Sequence, residues 1–233
     1  MNPFECSNQL INHLDAPSRK LVLKHSDVLH LSAGTVLSQP GDVSEYVYFP
    51  SGCVVALMLQ QSEEKGLEVC LVGEEGMLGV ETMLGLNESP YLIVVQSEGM
   101  VLRVSTELLM KMIARHPAIE QHLHLYAGVI MNQLAQSSLC GHFHMVQARL
   151  ARLILMFHDR LHSNSMQLTH GLLADMLGVR RVGITKAAGA LQKSRTLRYA
   201  RGHIEILNVK ALEAVACSCY AIDKATYQLI LND

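Results

Sequence analysis

Tryptophan is absent from this 233-residue chain, aromatic residues make up only 5% and charged residues 17%, while 49% of positions are hydrophobic. That balance excludes a disordered chain, a collagen-like repeat and a coiled-coil rod. The length suits one large domain or two small ones with real cores. No run approaches the roughly 18 apolar residues of a membrane span, so no membrane partner is expected. The first residues, Met1-Asn-Pro-Phe-Glu-Cys, lack the basic and apolar regions of a signal peptide, and the expectation is a cytoplasmic protein. Neither an HExxH-like metal motif nor a glycine-rich phosphate loop is present, so nothing supports an enzyme.

Cysteine is sparse and dispersed: Cys6, Cys53, Cys70, Cys140, Cys217 and Cys219. Without a secretory signal, such spacing argues against a disulfide framework. Most sit among apolar neighbours and read as small hydrophobes. Only Cys6 lies near the N-terminus, which leaves no cysteine cluster there for an iron–sulfur centre.

A large net charge is also missing, since the total is −2. The sum hides its distribution. Residues 1–140 carry 7 Lys/Arg against 15 Asp/Glu, a balance of −8, and residues 141–233 carry 12 against 6, a balance of +6. Within 141–203 ten basic residues face only Asp159 and Asp175. The basic half is the candidate for a polyanion partner.

From Gly34 to Ser105 short β-rich runs alternate with glycine and proline: Thr35–Ser38, Tyr46–Phe49, Cys53–Met58, Leu67–Val72, Tyr91–Gln96 and Val101–Ser105. Turn signals every 8–12 residues indicate an antiparallel sandwich or barrel. Ser18–His25 reads as a short helix after Pro17. Thr106–Arg115 is helical, and Pro117 opens a long helix to about Cys140, with Ile119, Leu123, Tyr126, Ile130 and Leu134 on one apolar stripe. A second copy of the same helix is the expected cover for that stripe, which would make a two-fold dimer. Val146–Leu161 is a further amphipathic helix. The expected division is a β-rich domain with short flanking helices over 1–116, a dimerisation helix over 117–141 and a basic domain over 142–233.

Thr169 caps a helix that ends at Gly178-Val179, and a second helix starts at once with Arg180-Arg-Val-Gly-Ile-Thr-Lys. Two short helices joined by a tight glycine turn form a helix-turn-helix, whose second helix offers N-terminal side chains to the major groove. Those side chains are Arg180, Arg181, Thr185 and Lys186. Arginine can bond both acceptors of a guanine edge. Leu197–Leu207 then gives two alternating runs around Ala200-Arg-Gly, a wing with Arg201 at its tip and His203 beside it, placed to touch phosphate.

The segment Leu173-Ala-Asp-Met-Leu-Gly-Val-Arg-Arg-Val-Gly-Ile-Thr-Lys-Ala-Ala, with Arg198-Tyr-Ala-Arg-Gly-His-Ile-Glu-Ile, resembles the C-terminal domain of the Crp/Fnr family of bacterial transcription regulators. The run Gly34…Pro40-Gly-Asp…Tyr48-Phe-Pro-Ser-Gly resembles that family's cyclic-nucleotide-binding-type β-roll. The resemblance spans about residues 10–220. It implies an α+β fold, with an N-terminal antiparallel β-roll, a long dimerisation helix and a C-terminal winged helix-turn-helix. It also implies double-stranded DNA, a second copy of the chain and RNA polymerase as partners. Arg181 and Lys186 take the places of the family's base-reading arginines. Val182 stands where readers of a TGTGA-type half-site carry a glutamate; valine cannot accept a bond from cytosine, so a different operator is implied.

In the family, a Gly-Glu pair holds the ribose of the nucleotide and an Arg-Ser or Arg-Thr pair neutralises its phosphate. Here Gly79 is kept, Val80 replaces the glutamate, or Glu81 takes its place after a one-residue slip, and Ser89-Pro90 stands where the arginine pair belongs, followed by Tyr91. No Lys or Arg lies between Lys65 and Arg103. A buried phosphate without a cation is strongly disfavoured, so cyclic AMP in the usual manner is not expected and the effector is left unknown. Gly79, Val80, Glu81, Ser89, Tyr91 and Tyr126 are the candidate pocket residues. His122-Leu-His124 and Cys140-Gly-His-Phe-His144 raise haem or a metal as alternatives. Histidines two apart on a helix diverge by about 200°, so neither pair is a ready two-ligand site. The expectation is a homodimeric, sequence-specific regulator. The competing reading is a ligand-sensing module that acts through a protein partner, which would not need the basic face of Arg180, Arg181, Lys186 and Arg201.

Overall fold

The computed structural model describes residues 5–62 and 65–231. Residues up to 57, 71–131 and 226 onward pack as one unit, and residues 58–70 with 132–225 pack as a second. The division falls within the long helix, and a segment of the β-rich region belongs with the basic half.

The first unit opens with α1 (Gln9–Asn12) and α2 (Ala16–Lys24). Asp15 caps α2 by accepting the Ser18 amide proton at 2.8 Å, and Pro17 sits in the first turn, where its missing N–H costs nothing. Strands β1 (Asp27–Leu31), β2 (Val36–Ser38), β3 (Tyr46–Ser51), β4 (Val54–Ser62), β5 (Lys65–Val72), β6 (Leu92–Ser97) and β7 (Gly99–Ser105) form two sheets, ordered β1-β7-β3 and β2-β6-β4-β5. The pleat of β3 buries Val47 and Phe49 and leaves Tyr46 and Tyr48 partly exposed. Antiparallel register sets Asp27 opposite Arg103, whose guanidinium bonds the carboxylate at 2.9 Å. Gly41 carries a φ of +90° in the turn after Pro40, a conformation that glycine adopts without a Cβ clash.

Ser105 caps α3 (Thr106–Ile113), and α4 follows as Pro117–Phe143, about 40 Å long at 1.5 Å per residue. The apolar stripe expected to meet a second copy is occupied within the chain. Ile119, Leu123, Tyr126 and Ile130 are all buried by the chain's own atoms, and Leu134 is half-buried. The physical reason is local: the Tyr126 hydroxyl donates to the Met77 carbonyl at 3.3 Å, and a Cβ on Gly76 would lie 2.0 Å from that hydroxyl, so the ring fills the space glycine leaves. The opposite face carries Leu125 and Met131, 47% and 65% exposed, with exposed Gly128 between them.

The second unit contains α5 (Val146–Leu161), β8 (Ser165–Gln167), α6 (His170–Leu177), α7 (Arg181–Lys193), β9 (Leu197–Ala200), β10 (His203–Ile206), α8 (Val209–Val215) and the first part of α9 (Cys219–Leu231). The strands pair antiparallel in the order β8-β10-β9. The apolar face of α5, including Leu150, Leu153, Ile154 and Phe157, is buried. Arg152 of α5 is buried too and donates to the Asp223 carboxylate through Nε and Nη2 at 3.0 and 2.6 Å. Beside this pair lies Glu68 of β5, whose Oε1 has no partner among the described residues. Burial pushes its carboxyl up to about 7 against the pull of Arg152 and Arg160. Among the described residues, no helix is long and apolar enough to cross a membrane.

Candidate DNA-binding surface

Thr169 starts the helix-turn-helix by accepting the Leu172 amide proton on its hydroxyl at 3.1 Å. At the far end of α6, Gly178 takes the left-handed conformation with φ +62°, and Arg149 of α5 donates to the Leu177 carbonyl at 2.5 Å. A basic group on a helix C-terminus satisfies an orphan carbonyl and complements the helix dipole. Arg180 stands at the N-cap position of α7 without a side-chain capping bond, and the helix buries Ile184, Ala187, Ala188 and Leu191.

The face of α7 left in solvent carries Arg181, Val182, Thr185, Lys186 and Gly189, with Arg180 exposed just ahead of it. One helix therefore presents three basic groups, a hydroxyl and small residues on one side. Thr185 Oγ1 donates to the Arg181 carbonyl at 3.1 Å and lies 3.2 Å from His170 Nδ1. The wing turns at Arg201 and Gly202, both with positive φ, and holds the Arg201 side chain exposed. His203 is exposed on β10, its Nε2 3.1 Å from Ser165 Oγ.

A buttress that the sequence reading passed over connects wing and helices. The His170 ring stacks on Tyr199 with centroids 4.3 Å apart, and the Tyr199 hydroxyl donates to the Leu168 carbonyl at 2.8 Å. Burial, with the positive charge of Arg181, holds the His170 pKa below its usual range, so the ring at pH 7 is neutral. Its position immediately after the capping Thr169 was the available signal.

Only part of the basic charge in 141–203 faces solvent unpaired. Of the ten basic residues in 141–203, Arg152 and Arg160 are buried, Arg149 caps α6 and Arg198 is paired with Glu205 at 2.8 Å. Arg180, Arg181, Lys186, Lys193, Arg195 and Arg201 are exposed.

Residues 148–215 match the Crp-like helix-turn-helix domain family. Over most of the chain the fold is that of solved Crp/Fnr structures. FixK2 from Bradyrhizobium japonicum aligns with a TM-score of 0.71 at 15% identity, over 82% of this chain and 98% of that one. A crp/fnr family regulator from Eubacterium rectale aligns at 0.68 and 18% identity, over 88% and 96%. The basic half carries a Crp-like helix-turn-helix domain. The c-di-GMP-responsive global regulator CLP of Xanthomonas campestris also shares the fold, with a TM-score of 0.69 at 15% identity over 82% and 99% of the two chains. No curated protein matches the sequence.

In the Crp/Fnr-type β-roll, the structure gathers only part of the candidate effector pocket. A cleft of about 310 Å³ is lined by Asp42, Glu45, Tyr46, Tyr48, Gly79 and Glu81, among others, and by no Lys or Arg. Gly79 and Glu81 thus reach it. Ser89 does not line it, and burial pushes the Glu81 carboxyl up. Val80, Tyr91 and Tyr126 do not line it, and Tyr126 is occupied at Met77. A lining that brings acidic groups and, among the described residues, no Lys or Arg disfavours an anionic ligand.

Proposed function

We propose that the protein acts as a homodimer that reads a palindromic operator, with α7 in the major groove and the wing on phosphate. The observation that carries this is the exposed face of α7, which bears Arg181, Thr185 and Lys186 with Arg180 exposed just ahead of it, together with the exposed Arg201 at the tip of the wing. Arg181 and Lys186 read base edges, while Arg201, His203 and the exposed Thr169 contact the backbone. Val182, 58% exposed on the same face, favours an apolar contact such as a thymine methyl. Two-fold symmetry sets the half-sites about 34–36 Å apart. The second copy docks on the side of α4 that bears Leu125, Gly128 and Met131, since the Ile119 stripe is already covered. RNA polymerase is the further partner. The acidic cleft speaks against cyclic AMP as the effector.

Selection of bound sites from random DNA, followed by salt-dependent binding to the selected site, tests the reading. Affinity falls steeply with salt. Arg181→Ala costs about 1–3 kcal/mol and relaxes the preference at one base position, whereas Arg201→Ala weakens all sequences alike and lowers the salt slope by about one. Undiminished, equally selective binding by Arg181→Ala would overturn the assignment of α7. Enrichment of no DNA would favour the protein-partner reading.

A further inference from the structure

One side-chain cluster has no part in reading DNA. Cys140 lies in the last turn of α4, and His144 follows one turn later, its amide donating to the Cys140 carbonyl at 3.2 Å. Cys217 follows α8, and Cys219 opens α9. Three sulfurs and one imidazole nitrogen from these residues all lie within 4.8 Å of one another. Cys140 Sγ is 3.4 Å from Cys217 Sγ, and Cys219 Sγ is 3.6 Å from His144 Nδ1. The cysteines are 2%, 8% and 0% exposed in sequence order.

Zinc binds thiolate at about 2.3 Å and imidazole at about 2.0–2.1 Å in a tetrahedron, which places ligand sulfurs about 3.8 Å apart and sulfur and nitrogen about 3.6 Å apart. The observed separations match one ion. The ligand atoms of a single centre crowd around one ion, whereas an iron–sulfur cluster interposes several atoms and spreads its cysteines further. A disulfide needs sulfurs at about 2.05 Å and has no use for a histidine. Soft thiolates with an imidazole also select against calcium and magnesium.

We propose that Cys140, His144, Cys217 and Cys219 form a closed Cys3His site for one divalent ion of the zinc class, which joins the end of α4 to the start of α9. All four positions are filled by the protein, so the site fixes structure and leaves no open position for catalysis. As the ion binds, the three thiols lose their protons to solvent and the imidazole binds in its neutral form. Three thiolates on a divalent ion leave one net negative charge, and the buried guanidinium of Arg152 acts on all three sulfurs. The ion therefore makes rigid a junction 77 residues wide in sequence.

Full-length protein, purified under reducing conditions without chelator, is expected to carry about one zinc per chain by elemental analysis. Cobalt added after chelation is expected to give the visible bands of a tetrahedral thiolate complex. Cys219→Ser and His144→Ala lose the metal, and Cys6→Ser, outside the cluster, keeps it. Should the cluster variants fail to fold, the parent protein still decides. Zinc slows alkylation of Cys140, Cys217 and Cys219 but not of Cys6, as read by mass spectrometry. Absence of bound zinc and of the cobalt spectrum, or alkylation rates that zinc leaves unchanged, would overturn the site. So would a Cys140–Cys217 disulfide in protein kept under reductant.

Discussion

Glu68 makes the protein's stability depend on pH in a way that one substitution should expose. Its carboxyl is buried beside Arg152, Arg160 and Asp223, with Oε1 unpartnered, and burial raises it from an ordinary value of 4.5 to about 7. A raised carboxyl binds its proton more tightly in the folded chain. Between pH 4.5 and 7 the folded state therefore holds a proton that the unfolded state has released, and stability falls as pH rises. At about 1.4 kcal/mol per pH unit, the 2.5 units between those values amount to about 3 kcal/mol lost by pH 7, with no further loss above it. Glu68→Gln keeps the shape and removes the charge. Its amide leaves a donor short of a partner, at about 1 kcal/mol. The variant is therefore expected to be about 2 kcal/mol more stable than the parent at pH 8 and within about 0.5 kcal/mol of it at pH 5. Asp223 is also raised by burial and titrates in the same direction. Urea unfolding of the two proteins at pH 5, 6, 7 and 8 measures the crossover. Parallel curves would show that Glu68 is solvated or fully paired when ionised, and the reasoning would fail.

Replacing one member of the buried pair tests what Arg152 holds together. Asp223→Ala strands a buried guanidinium and is expected to cost about 3–5 kcal/mol in urea unfolding, whereas a surface pair such as Arg198 and Glu205 contributes at most about 1. The two faces of α4 should separate by assay. Ile119→Ala leaves a core cavity and lowers unfolding free energy by about 2–5 kcal/mol, while Met131→Asp shifts sedimentation towards the monomer with little change in unfolding of the single chain. A monomer from the first variant and an unchanged dimer from the second would return the interface to the Ile119 stripe.

The helix-turn-helix was legible because its signals are local. A capping threonine, a glycine at the helix end, a second apolar period and an Arg-Gly turn each act within a few residues, so Val146–Leu161 and the wing turn appear where the sequence places them. The strand β1, Asp27–Leu31, went unread because its ladder partner β7 is some seventy residues away and only the fold brings Arg103 against Asp27. On α4 the period gave the helix and its stripe but not what covers the stripe. Ile119, Leu123, Tyr126 and Ile130 mark an apolar face, and a helical period cannot distinguish the chain's own sheets from a second copy. The residue that decides it is Gly76, whose missing Cβ admits the Tyr126 ring.

The cysteine and histidine cluster fails to show in sequence for a similar reason. Histidines two apart diverge on a helix. The pair that shares a face is Cys140 with His144, four residues apart, and it becomes a site only because α8 and the turn after it return Cys217 and Cys219 to the same place. Apolar neighbours made these thiols read as small hydrophobes, and burial of the three cysteines fits that reading as well as it fits a metal. What points to a metal is the convergence of an imidazole nitrogen and three sulfurs within 4.8 Å of one another, a donor set that a tetrahedral ion uses in full.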